Sequence, residues 1–302
     1  MRVLDGDLGS RLLEETRLWP QTILENYLTV ALDLRKCSLT TIPAEYPEAD
    51  LIAARIDEAC TGQYRVMVEE TDPRQKMRLI EQLKIDMRSA FKECVDASSA
   101  HKAHMEWSER LRLSEFEMEV RPSIRELFIF KDRAVPKKLE KLAKRRDLYR
   151  RELTPDMRSI ASRSRLIYPE EFKPDYVRQL GELLGYPRCC TEAYISGRMT
   201  GNILAEERAA NQIAELRSKG NEPDHFSFAV KDFIPCNPSC KAASGTGRKI
   251  QNQLTTLDPK LAEFYAECLK RNLSLIESFH DRIEAHRQKI SKRAEELGIP
   301  VK

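Results

Sequence analysis

The sequence predicts a mainly α-helical protein with a small α/β element near the N-terminus and a C-terminal helical domain built around cysteines. Three observations predict it. Capped segments with apolar stripes dominate the chain after Asp72, short β-branched runs fall before it, and two cysteine pairs stand beside prolines in the second half. At 302 residues, the chain is long enough to bury a core and to form more than one domain. We expect a mixed α/β to helical region over 1–110, a basic helical connector over 111–165, and a helical domain over 166–302 that carries the cysteine motifs.

Thr29-Val30-Ala31-Leu32-Asp33-Leu34 and Tyr64-Arg65-Val66-Met67-Val68 are β-branched, apolar runs that read as strands. Between them, 49–59 reads as a helix with Leu51, Ile52, Ile56 and Ala59 on one face. Asp72-Pro73 starts a further helix, with a side-chain acceptor at the N-cap and proline at the first helical position. Met77, Ile80, Met87, Phe91 and Cys94 mark its apolar stripe, which is expected to run past Trp107. Residues 135–151 form a helix dense in lysine and arginine. Residues 175–184 form another that stops at Gly185, a residue suited to a left-handed cap. The last helix is bounded by Asp258-Pro259 and by Gly298 with Pro300. Its seam of Ile276, Phe279, Ile283, His286, Ile290 and Leu297 suggests a bent or paired helix, and homo-oligomer formation through it is one expectation.

Charged residues make up 33% and apolar ones 41%, a composition that fits a soluble helical chain. A net charge of +3 is too small to imply a nucleic-acid partner by itself. No run approaches the roughly 18 apolar residues that span a bilayer, and the start lacks the apolar stretch of a signal peptide. The expectation is therefore a cytoplasmic protein with no membrane role. Eight cysteines in a chain this long are ligands or redox groups rather than a disulfide framework. Cys37, Cys60, Cys94 and Cys268 are scattered singly and read as small buried hydrophobes.

The other four are paired. Pro187-Arg188-Cys189-Cys190 places two thiols in the first turn of a helix. Pro235-Cys236-Asn237-Pro238-Ser239-Cys240 places two more beside another helix start, with Ser239 as the expected N-cap. Unpaired amides and the helix dipole stabilise thiolates at such ends. Cys189, Cys190, Cys236 and Cys240 are thus candidate metal ligands. Common zinc knuckles place two to four residues between paired ligands, whereas one pair here is adjacent. A 4Fe-4S cluster, larger and ligated from several directions, suits that spacing better, with zinc as the alternative. The radical S-adenosylmethionine triad is excluded, because its third cysteine position is Ala243.

Gly185-Tyr186-Pro187-x-Cys189-Cys190 followed by Pro235-Cys236-x-x-x-Cys240 resembles the signature of an uncharacterised prokaryotic family, a domain of unknown function. The resemblance covers 172–250. It implies that the four cysteines act as a unit and brings no activity with it.

Several further candidates accompany the cysteines. Gly245-Thr246-Gly247-Arg248-Lys249 reads as a flexible helix start ahead of an anion nest, because the P-loop spacing is missing, and Arg188, Arg248 and Lys249 are candidate cofactor or substrate contacts. His101 and His104 with Glu106 and Glu109 read as solvated helix surface ahead of a metal site, and His286 reads as a core histidine. His225 is a candidate neighbour of the cysteine site. Lys137, Lys138, Lys141, Lys144, Arg145, Arg146, Arg150 and Arg151 form a basic stripe with Tyr149 as its lone aromatic, a weak pattern for stacking on bases.

The favoured function is an iron–sulfur or metal-binding protein, with an enzyme of a specialised biosynthetic pathway as one expectation. Its cluster would serve electron or sulfur transfer, with a small-molecule substrate or a redox partner. The alternatives are a nucleic-acid-binding protein using 135–151 with a structural zinc or buried thiols, and a dithiol oxidoreductase.

Overall fold

Helices make up most of the described residues, and among these the strands are confined to one small sheet. The structure, a computed structural model, describes residues 7–152, 168–200 and 204–296. The chain divides into two units between Ala143 and Lys144.

In the first unit, α1 (Leu8–Glu14) leads into a helical run over 20–31, α2, whose middle, Ile23–Leu28, is π-helical. Residues 21–30 of this run are all buried. A helix buried on every side carries no 3.6-residue period to read, which is why Thr29–Leu34 looks like a strand. The structure corrects that expectation, since Thr29–Ala31 is helical. Strand β1 (Cys37–Ile42) follows, and then α3 (Ala49–Glu69) packs along α4 (Pro73–Ala97).

The second expected strand, 64–68, lies inside α3 with Tyr64, Val66 and Val68 exposed. A helix continuing from Ala49 overrides local β propensity. Its buried side is Ile52, Ile56 and Cys60, while Leu51 and Ala59 face outward. In α4 the Asp72 carboxylate accepts the Arg74 and Gln75 amides at 2.8 Å, as the Asp-Pro pair predicts. Phe91 is buried on the predicted stripe, but Met77 is exposed. The stripe does not run unbroken past Trp107, because Ser98 ends α4 and caps α5 (Ser99–Leu111).

Strands β2 (Ser114–Arg121) and β3 (Ile124–Phe130) form a hairpin, and β1 pairs antiparallel with β3 to give the order β1-β3-β2. Against expectation His104 is buried completely. Tyr27 Oη lies 2.6 Å from its Nδ1 and Glu115 Oε1 lies 2.9 Å from its Nε2. The reason is the stripe Ala100, Ala103, Trp107 and Leu111, on whose face His104 falls. His101 is half-buried beside Tyr46, and Glu106 pairs with Arg17.

Helix α6 (Val135–Arg151) is the predicted basic helix. Leu139, Leu142 and Arg146 are buried, and Arg146 and Arg150 both bind Glu170. In the second unit follow α7 (Pro174–Leu183), α8 (Arg188–Met199), α9 (Ala205–Ser218), α10 (Lys241–Leu257), α11 (Pro259–Glu277) and α12 (Phe279–Glu296). The expected single last helix is two, divided at Ser278. Ile276 is buried, Phe279 and Ile283 are half-buried, and His286 is exposed rather than in a core. The Ile290 side chain and Leu297 lie outside the described residues. Among the described residues no helix is long and apolar enough to cross a membrane.

Three glycines bring the second unit's elements close. Gly185, at φ 76°, ends α7 in a Schellman turn in which its amide binds Glu182 O and the Tyr186 amide binds Gly181 O. A Cβ on Gly181 would lie 2.6 Å from Thr191 Oγ1, so α7 and α8 touch there. One on Gly247 would lie 2.3 Å from the Phe226 carbonyl oxygen, whereas one on Gly245 would meet nothing within 4 Å. Residues 245–249 are thus helical, in keeping with the favoured reading of a helix start over a nest. The segment is helix interior, and of its two glycines Gly247 serves packing while Gly245 faces open space.

Denaturant unfolding checks this. Gly247→Ala should lower stability by about 1–3 kcal/mol through overpacking, and Gly245→Ala should raise it by about 0.5–1 kcal/mol through helix propensity. Equal midpoints for Gly247→Ala and wild type would contradict the close approach.

Candidate metal centre

The Schellman turn at Gly185 aims Tyr186-Pro187 into the start of α8. Cys189 and Cys190 are then the second and third residues of that helix. Side chains at a helix start lean toward its N-terminus, so both thiols project off the open end. Opposite them stands the 234–240 loop. Cys240 is itself the N-cap of α10, in place of the expected Ser239. The Ser239 amide instead donates to Asn237 Oδ1 at 3.0 Å, closing a turn that brings Cys236 back over Cys240.

The four sulfurs converge. Cys189, Cys190, Cys236 and Cys240 place their Sγ atoms within 4.8 Å of one another. Three edges of the group are nearly equal, with Cys189–Cys190 at 3.8 Å and both Cys189–Cys240 and Cys190–Cys240 at 3.7 Å. Cys190 and Cys240 are buried, Cys236 is half-buried and Cys189 is exposed. Val230, Phe233 and Ala243 form the apolar wall, with Tyr186 against Phe233 at 4.9 Å between ring centroids.

Such a group is electrostatically lopsided. Burial pushes the Cys190 thiol well above its ordinary value and raises Cys236 to about 11. Burial acts on Cys240 in the same sense, but the Ala243 amide and the neighbouring thiols outweigh it and hold that thiol below its usual value. Four sulfurs at this spacing cannot all be thiolates without a cation to offset their repulsion. With one, they form an all-sulfur donor set of the kind that holds soft or borderline metals. The tetra-cysteine group can therefore hold a metal ion.

The framework behind the thiols is polar, and the sequence reading passed over it. Arg208 of α9 donates to Ala193 O at 3.1 Å and to Pro235 O at 3.2 Å, tying α8 to the second motif. Gln212, one turn on, donates to Cys236 O at 3.3 Å. Asp224 accepts Ser244 Oγ at 2.5 Å and Arg248 Nη2 at 3.0 Å, and its amide donates to Pro238 O. Ser227 Oγ donates to Cys240 O at 3.3 Å. Arg208, Gln212 and Asp224 belong to no motif, and their spacing alone carries no signal.

Of the other predicted residues, Arg248 lies over the Phe226 ring and is engaged with Asp224 and Ser244. Arg188 and Lys249 are exposed on α8 and α10. His225 stacks on Phe226 and does not join the sulfur group. Among the described residues His101, His104, Glu106 and Glu109 form no metal-ligating group.

The model of one family, Protein of unknown function (DUF483), matches residues 114–265, just over half of the chain and a span that includes all four cysteines. The chain belongs to that family. No curated protein and no solved structure matches it.

Arg208 provides the test of the framework. Arg208→Ala should leave helix content unchanged and weaken zinc binding by about 10–100-fold, the usual cost of losing support behind a ligand shell. Competition against a chromophoric chelator would measure it. Unaltered affinity would show that the 234–240 loop holds its place without this anchor.

Proposed function

We propose that this DUF483 chain is a metal-binding protein whose four cysteines hold one tetrahedral ion, zinc, as a closed structural centre of its second unit. The sulfur spacing carries the reading. Zinc–sulfur bonds of about 2.3 Å set tetrahedral sulfurs about 3.8 Å apart, which is the length of the three edges among Cys189, Cys190 and Cys240, 3.7, 3.7 and 3.8 Å. In a cubane each thiolate binds a different iron, so the ligand sulfurs must stand wider than those sharing one ion. The spacing thus favours the zinc alternative over the 4Fe-4S cluster and the electron or sulfur transfer that such a cluster would support.

Four protein thiolates fill a tetrahedron and leave no position for water, the arrangement of structural rather than hydrolytic zinc sites. The site joins the start of α8 to the start of α10, with Cys190 and Cys236 separated by 46 positions along the chain. Structural zinc contributes about 10–16 kcal/mol in small zinc-binding peptides, comparable with the whole stability of a domain, about 5–15 kcal/mol. Folding of the second unit is therefore expected to depend on the metal.

Metal and acid-labile sulfide analysis of anaerobically purified protein tests the assignment. We expect a colourless protein with zinc equimolar to chain, and no sulfide. Chelation should lower the melting temperature, and affinity should fall with pH because the thiols must lose protons to bind. A brown protein containing iron and sulfide would restore the cluster reading. Full metal content in a Cys190→Ala, Cys240→Ala double variant would refute the site altogether.

A further inference from the structure

The four sulfurs are not equivalent. Cys190 Sγ accepts the Cys236 amide at 3.4 Å, Cys236 Sγ accepts Asn237 Nδ2 at 3.5 Å, and Cys240 Sγ accepts the Ala243 amide. Cys189 differs in two ways. Among the described residues its sulfur is within hydrogen-bonding reach of the thiols of Cys190 and Cys240 and of no N–H donor, and it is the exposed member of the group.

Both differences act in one direction. An N–H aimed at a coordinated thiolate draws charge from the sulfur and makes it a poorer nucleophile, one of the ways surrounding groups tune a metal centre. Exposure decides which thiolate a solute can reach. Three sulfurs are damped and at least partly screened from water, and the fourth is neither.

We propose that Cys189 is the oxidation site of the metal centre, at which a hydroperoxide-class oxidant is reduced and the ion set free. The proposal rests on the metal reading above. Cys189 Sγ attacks one peroxide oxygen. A sulfur–oxygen bond forms, the oxygen–oxygen bond breaks and hydroxide leaves, giving a sulfenic acid. The Cys240 thiolate, 3.7 Å away, then attacks Cys189 sulfur. A disulfide forms, the sulfur–oxygen bond breaks and a second hydroxide leaves. Two thiolates together lose two electrons and the peroxide gains them. Cys240 is the resolving partner because a disulfide between adjacent Cys189 and Cys190 would close a strained ring. With two of its four ligands consumed, the ion dissociates, and α8 and α10 lose their link until a dithiol reductant restores it.

The experiment uses the full chain loaded with zinc, its content measured first, and limiting hydrogen peroxide. Zinc release is followed with a chromophoric chelator, and quenched samples are mapped by differential alkylation and mass spectrometry. We expect loss of the Cys189 thiol before any other, a Cys189–Cys240 disulfide as product, and zinc release in step with it. Asn237→Asp keeps the acceptor for the Ser239 amide but removes the N–H from Cys236, and should shift part of the earliest oxidation onto Cys236. Loaded protein whose first oxidised thiol is Cys190, Cys236 or Cys240 would overturn this inference alone. An unshifted pattern in Asn237→Asp would overturn its hydrogen-bond basis. Protein that carries no zinc at the start would sink the metal reading and the inference together.

Discussion

Four thiols packed within 4.8 Å impose the constraint around which the second unit is arranged. Sulfurs do not gather for each other's sake. Burial raises two of these thiols, and Cys240 is drawn below its ordinary value. The group becomes favourable when a cation lets all four ionise. The chain around it is built to hold that geometry whatever the local cost. A left-handed glycine turns α7 into α8, Gly181 lets α8 touch α7, and Gly247 lets 225–227 touch α10. Tyr265 and Asn272 of α11 bind the carbonyls of Ala229 and Phe228, fixing the segment that leads into the second cysteine motif.

The site was legible in the sequence because its signals are local. Gly185 fixes a turn, Pro187 a helix start, and the cysteines their own chemistry. The anchors were not legible, because Arg208 and Gln212 look like the polar face of any surface helix, and only the fold shows that they reach the carbonyls of Pro235 and Cys236. The metal preference depended on a spacing rule that holds for knuckles. Here the adjacent pair hangs off a helix end, and the Cys-x-x-x-Cys pair wraps a turn ending at an N-cap. Both bring their sulfurs within 4.8 Å of one another without a knuckle.

The fold was read better for helices than for strands. Asp72 and Asp258 cap as their Asp-Pro pairs predict. The strands lay elsewhere than expected: Thr29–Ala31 belongs to a helix buried on all sides and Val66 to an exposed helix face, where β-branching decides nothing. The true strand Ser114–Arg121 alternates Glu115, Glu117 and Glu119 with Phe116, Met118 and Val120, a period of two hidden by its charge. His104 was misplaced because a polar residue on an apolar stripe is invisible until its partners, Tyr27 and Glu115, are brought from far along the chain.

Metal-edge X-ray absorption on the purified protein tests the central claim most directly. The account predicts a single shell of four sulfurs at about 2.3 Å and no metal neighbour beyond it. A second shell of iron would contradict the single-ion centre, and a first shell containing nitrogen or oxygen would contradict the assignment of Cys189, Cys190, Cys236 and Cys240 as the complete ligand set.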